Sequence, residues 1–86
     1  MNQKNMKYSK YVKFTPDFIE KFNVKDLVKI LKQNQFYEYP EDMPNFQKIE
    51  FLGFSDKLGL IFSVYDDKGV EHNFIIYRFN SRWEIE

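Results

Sequence analysis

Cysteine is absent from the 86 residues, which excludes disulfide staples and thiolate-held zinc as sources of stability. The same lack fits a reducing compartment. Histidine occurs once, at His72. A metal site would therefore be built almost wholly from carboxylates, and no suitable spacing of them is present. Glycine and proline number three each, with neither a Gly-rich phosphate loop nor a nucleophile elbow among them. No apolar run approaches the roughly 20 residues of a membrane span. The Lys- and Asn-rich start, Met1 to Lys13, has no apolar stretch of the kind a secretory signal carries. These absences set the expectation of a cytoplasmic domain with no cofactor, no metal and no membrane contact. Net charge is zero, which argues against a general nucleic-acid binder.

What the chain does have is aromatic area. A fifth of the residues are aromatic and ten are Phe. Such side chains bury more surface than aliphatic ones, which is how a single small domain assembles a core without crosslinks. Charge is uneven along the chain. Residues 1–35 carry eight lysines against Asp17, Glu20 and Asp26, a balance of +5. Residues 36–86 carry five cations against ten carboxylates, a balance of −5.

From Asn45 to Glu86 the pattern is that of four antiparallel strands in a meander. Leu60, Phe62 and Val64 alternate with Ile61, Ser63 and Tyr65, and His72, Phe74, Ile76 and Arg78 alternate with Asn73, Ile75, Tyr77 and Phe79; a period of two is the strand signature. Gly53, Ser55-Asp56-Lys57, Asp66 to Gly69 and Asn80-Ser81 read as its punctuation. Upstream, residues 1–6 read as a disordered arm and Lys7 to Phe14 as an edge strand guarded by lysines. Thr15-Pro16-Asp17 is a helix start, and Asn23 with Asp26 forms a second one. Val24, Leu27, Val28 and Leu31 then give an amphipathic face opposite Lys25, Lys29 and Lys32. Phe36 to Pro44 is an acidic loop. The expected fold is a single α+β domain of two layers: an N-terminal strand and one or two short helices on a four- to five-stranded antiparallel meander.

One helical layer covers one sheet face. The other face is expected to show Tyr65, Ile75, Tyr77 and Phe79 as an aromatic surface for a protein partner or a second copy. Candidate chemistry lies in the last strands. His72, Arg78 and Arg82 are the candidates for catalysis, a base and two cations for metal-free RNA cleavage. His72 and Arg78 stand roughly 20 Å apart along one strand, so only cross-strand neighbours such as Ser63 or Tyr65 could complete a site at His72. Arg78 and Arg82 are the only arginines. Their planar forks suit phosphate or carboxylate, and the plain alternative is pairing with Glu71, Glu84 or Glu86. Tyr65, Tyr77, Phe79, Arg78, Arg82, Trp83 and Lys13 are the binding candidates.

Phe14-Thr15-Pro16-Asp17-Phe18, the helix Val24 to Leu31, Tyr39-Pro40, Leu52-Gly53-Phe54, and Ile76-Tyr77-Arg78-Phe79 with Trp83 recur in one order. In that order the chain resembles a family of small prokaryotic domains related to BrnT and RelE-like toxins. The resemblance implies a RelE/BrnT-like fold, an antitoxin partner and metal-independent endoribonuclease activity. It also implies that Lys13, Tyr77, Arg78 and Arg82 are the groups left to touch RNA. The family's first-motif histidine is Asp17 here, and its proline after the last tyrosine is Phe79. The expected function is therefore that of a small RelE/BrnT-like binding domain, a non-catalytic or degenerate toxin-like protein that inhibits or binds a macromolecular partner through its aromatic sheet face. The alternatives are an active ribonuclease toxin and a phage or mobile-element inhibitor or immunity protein.

Overall fold

The computed structural model describes residues 11–86. It shows two helices and a four-stranded antiparallel sheet, the α+β arrangement expected. Helix α1 (Pro16–Lys21) starts where Thr15 Oγ1 accepts a hydrogen bond from the Phe18 amide at 3.1 Å, with proline at the first helical position. Asn23 ends that turn and opens α2 (Val24–Gln33) through a reciprocal capping box. Its side chain accepts from the Asp26 amide, and the Asp26 carboxylate accepts from the Asn23 amide, both at 3.0 Å. Leu27, Ile30 and Leu31 are the buried stripe of α2, each contributing roughly 1.5–3 kcal/mol by burial. No glycine ends α2. Instead the Asn34 side-chain amide donates to the Ile30 carbonyl at 3.0 Å and Gln35 takes a left-handed φ of 51°.

After a short 3₁₀ turn (Pro40–Asp42) come β1 (Phe46–Phe54), β2 (Leu60–Asp66), β3 (Glu71–Phe79) and β4 (Arg82–Ile85). They lie side by side in chain order. Gly53 lies inside β1, where the register with β2 shifts, and does not end the strand as expected. Gly69 closes the β2–β3 turn at φ 79°, and the Asp66 carboxylate accepts from the Lys68 and Val70 amides. Asn80 and Ser81, at φ 51° and 65°, make the two-residue β3–β4 hairpin. The arm at residues 1–6 and the first half of the expected edge strand over Lys7 to Phe14, residues 7–10, lie outside the described residues. The strand's described part makes a single antiparallel bridge, Tyr11 to Phe79.

The core lies between the helices and one sheet face. Leu60, Phe62, Val64, Phe74 and Ile76 meet Leu27, Ile30 and Leu31 there. Phe22 stacks on Phe62 at 4.9 Å, and Phe14 and Phe18 lie parallel to Trp83 at 5.7 and 5.9 Å.

The outer sheet face departs from expectation, because the chain largely furnishes its own cover. Tyr77 is buried, only 8 % exposed, and Tyr65, Ile75 and Phe79 are half-buried. Leu60 pairs with Ile76, so Gly59 falls across from Tyr77, and the missing Cβ makes room for the ring. Tyr11 packs on Tyr77 and Phe79, with centroids 6.0 and 4.6 Å away. Nearer the other end the face is polar. Buried Ser63 donates to the Glu71 carboxylate, Asn73 donates to the same group, and Lys48 sits over the Tyr65 ring.

Candidate functional site

The strand β3 carries the two halves of the candidate chemistry at its opposite ends. At its start, His72 Nε2 lies 3.0 Å from Asp66 Oδ2 and its ring meets Phe46 edge-on at 5.2 Å. Asp66 is enclosed, with 8 % of its side chain exposed. Hydrogen bonding from His72, and then from the Val70 amide, holds the Asp66 carboxyl below the usual carboxylate range. The residue across from His72 is Val64; Ser63 faces Asn73 and Tyr65 faces Glu71. The neighbours expected to complete a site at His72 therefore lie on the other face, and its one polar partner is the hairpin's own aspartate.

At the far end of β3 three candidates come together. The two-residue turn places Trp83 opposite Arg78 on the core side and Arg82 opposite Phe79 on the outer side, so Arg82 shares a hollow with the other two only at the rim of the sheet. The Arg78 guanidinium sits over the Trp83 ring, 4.7 Å from its centroid. Arg82 is exposed and its Nη2 lies 3.5 Å from Glu84 Oε2. That contact matches the plain reading of one arginine but is solvent-screened and weak. Arg78 has no carboxylate within ion-pairing distance among the described residues. Arg78, Arg82, Trp83 and Glu84, with Gln33, Asn34 and Ser81, line an open hollow of about 550 Å³. The last turn of α2 forms its second wall.

The remaining candidates are dispersed. Tyr77 is buried, Phe79 is covered by Tyr11, and Tyr65 stands at the polar end beside Lys48. Lys13 is exposed and does not line the arginine hollow. Two features escaped the sequence reading. One is a larger groove of about 1040 Å³ between α2 and residues 35–46, floored by Val28, Leu31 and Phe46 and walled by Met43 and Pro44. Burial raises the pKa of the Tyr37 hydroxyl on its wall. The signal available for it was Pro40 and Pro44, which exclude continued helix there and both line the groove. The other is an apolar patch at one end of β1, where Leu52, Phe54 and Leu58 are 54, 49 and 38 % exposed.

Among the described residues no cluster of three or more carboxylate or imidazole side chains is placed to hold a metal ion, and no helix is long and apolar enough to cross a membrane. No family model matches the chain, and neither a curated protein nor a solved structure does.

Proposed function

We propose that the chain is a non-catalytic binding domain that takes an acidic side chain of a protein partner into the hollow at Arg78, Arg82 and Trp83. The observation that carries this reading is the separation along β3. The cations gather at one end and the only imidazole is tied to Asp66 at the other, six residues and roughly 20 Å away. Binding needs only the cations; RNA cleavage needs the base beside them. Arg78 is held in place by stacking on Trp83, which keeps its planar fork oriented for a carboxylate. Glu84, in contact with Arg82, and the end of α2 line the same hollow, and the carbonyl end of a helix carries about half a negative charge. The balance remains positive and small, which suits one acidic side chain better than the many phosphates of a nucleic acid. A domain of this kind acts by occupying the surface of a larger protein, the inhibitor or immunity type of role. The toxin-like resemblance enters this reading as a degenerate relative that keeps the cations without the base.

Trp83 is the chain's only tryptophan, so its fluorescence reports directly on the hollow. Titration with a short Glu-rich peptide should give a saturable change that weakens with added salt and disappears in Arg82→Ala without loss of the thermal transition. A stronger response to a single-stranded RNA oligonucleotide than to the peptide would overturn the reading. Cleavage of that oligonucleotide, abolished by His72→Ala, would replace it with the nuclease.

A further inference from the structure

The strand β1 is the longer of the two sheet edges, nine residues against four in β4. Among the described residues it pairs with β2 alone. A long unpaired edge exposes a row of backbone donors and acceptors, and a stable protein covers it, breaks it up or uses it. Here two register shifts, around Gln47 and Leu52, bracket a regular stretch from Lys48 to Phe51. Its pairing with β2 places Ile49 and Phe51 on the core side with Val64 and Phe62, and Lys48 and Glu50 on the outer side with Tyr65 and Ser63.

We infer that β1 pairs antiparallel with β1 of a second copy of this chain, centred on Ile49, so that two four-stranded sheets become one. Charge selects the register. A two-fold centred on Lys48 or on Glu50 sets that residue against its own copy, and like charges directly opposed are unfavourable. A two-fold on Ile49 sets Lys48 of each copy against Glu50 of the other, twice by symmetry. It also brings Ile49 and Phe51 of both copies together on the core side.

The same register matches the ends. Running antiparallel past the bulges, the Leu52 to Phe54 end of each strand comes beside the Pro44 to Phe46 end of the other. The first end carries the exposed Leu52 and Phe54, and Phe54 faces the core side with its partner Leu60. The second end lines the large groove, Pro44 and Phe46 together with Met43 and with Val28 and Leu31 of α2, the helix that packs on the core side. Each copy thus offers an uncovered ring where the other offers an uncovered apolar hollow. The arginine hollow is on the opposite edge, at β4, and stays open in the pair.

Sedimentation equilibrium on the full chain tests this. The wild type is expected to dimerise reversibly in the micromolar range. Lys48→Glu and Glu50→Lys should each weaken the dimer by about tenfold or more, since each turns two attractive pairs into two repulsive ones. The double variant K48E/E50K restores the opposite charges and should recover most of the wild-type affinity. A thermal transition in each single variant close to that of the wild type shows that the single variants fold. Phe54→Ser should weaken the dimer independently of salt. A wild type that stays monomeric at several hundred micromolar overturns the inference, and so does a dimer indifferent to both charge reversals.

Discussion

Replacing Gly59 by alanine should destabilise the protein, although the substitution removes freedom from the unfolded chain. An ideal Cβ at this position falls 2.6 and 2.7 Å from Tyr77 Cε1 and Cδ1 and 2.9 Å from Ile75 Cγ2. Comfortable carbon contacts lie near 3.5–4.0 Å, so the methyl overlaps the ring edge by close to an ångström. Tyr77 is buried and has Tyr11 against it at 6.0 Å, so the ring yields only by pushing Tyr11 outward. Overpacking of this kind costs about 1–3 kcal/mol, against about 0.4–1 kcal/mol returned by the stiffer unfolded chain. The net loss is about 1–2 kcal/mol, which for a domain of this size lowers Tm by about 5–15 °C. Urea unfolding followed by Trp83 fluorescence and by circular dichroism measures it. In a Tyr77→Leu background, which lacks the ring edge, most of the cost of Gly59→Ala should vanish. A neutral or stabilising Gly59→Ala, or the same penalty in both backgrounds, would show that the ring is not seated on the glycine.

Three other substitutions probe the scaffold. Asn23→Ala removes one arm of the capping box and should cost about 1 kcal/mol in urea unfolding, with Asn23→Asp retaining most of the stability. Leu31→Ala empties a fully buried position at the floor of the large groove and should cost about 2–5 kcal/mol by the same measurement. Asp66 is held ionised below the usual carboxylate range, so its contribution is complete above the ordinary carboxylate pKa and is lost as pH falls through the lowered native value. Asp66→Asn should therefore flatten the acid limb of stability, read as urea midpoints from neutral pH downward, while Glu71, lowered chiefly by the Ser63 hydroxyl, keeps part of the slope. Identical limbs in the two proteins would refute that account.

Much of the fold follows from rules that act within a few residues. Thr15 and Asn23 are legible as caps because the bonds they make span three residues. The strands show in the period of two, and the Asn80-Ser81 turn fixes Arg78 opposite Trp83 by counting outward from it. The Arg78–Trp83 pair was therefore within reach of the sequence, whereas counting sets Arg82 against Phe79 on the other face. What escaped depends on register across strands or on the reach of the helices. Nothing near Gly59 in the sequence announces Tyr77; only the β2–β3 pairing brings them together, and with them the cover of a face that periodicity leaves open. His72 reads as a free base until the turn folds Asp66 back onto it. Gly53 reads as an end and proves to be part of a bulged strand, because β2 supplies the partners that carry β1 through it.

The free surfaces of the molecule trace to a mismatch of lengths. Asn23 divides the helical segment, leaving six residues in α1 and ten in α2, or about 9 and 15 Å of helix. The nine residues of β1 run to about 30 Å. Among the described residues, two such helices laid end to end fall short of the nine-residue strands β1 and β3, so the layer gives out towards the sheet's rim. A meander also fixes β1 and β4 at the edges, and each edge carries uncovered groups: Phe54 and the large groove by β1, Arg78 and Arg82 around β4. The outer face needs no second layer, because Gly59 admits Tyr77 and Tyr11 lies over it. Both edges thus carry uncovered groups, one apolar with opposite charges beside it and one cationic, and the proposed second copy and the proposed acidic partner fall on different edges.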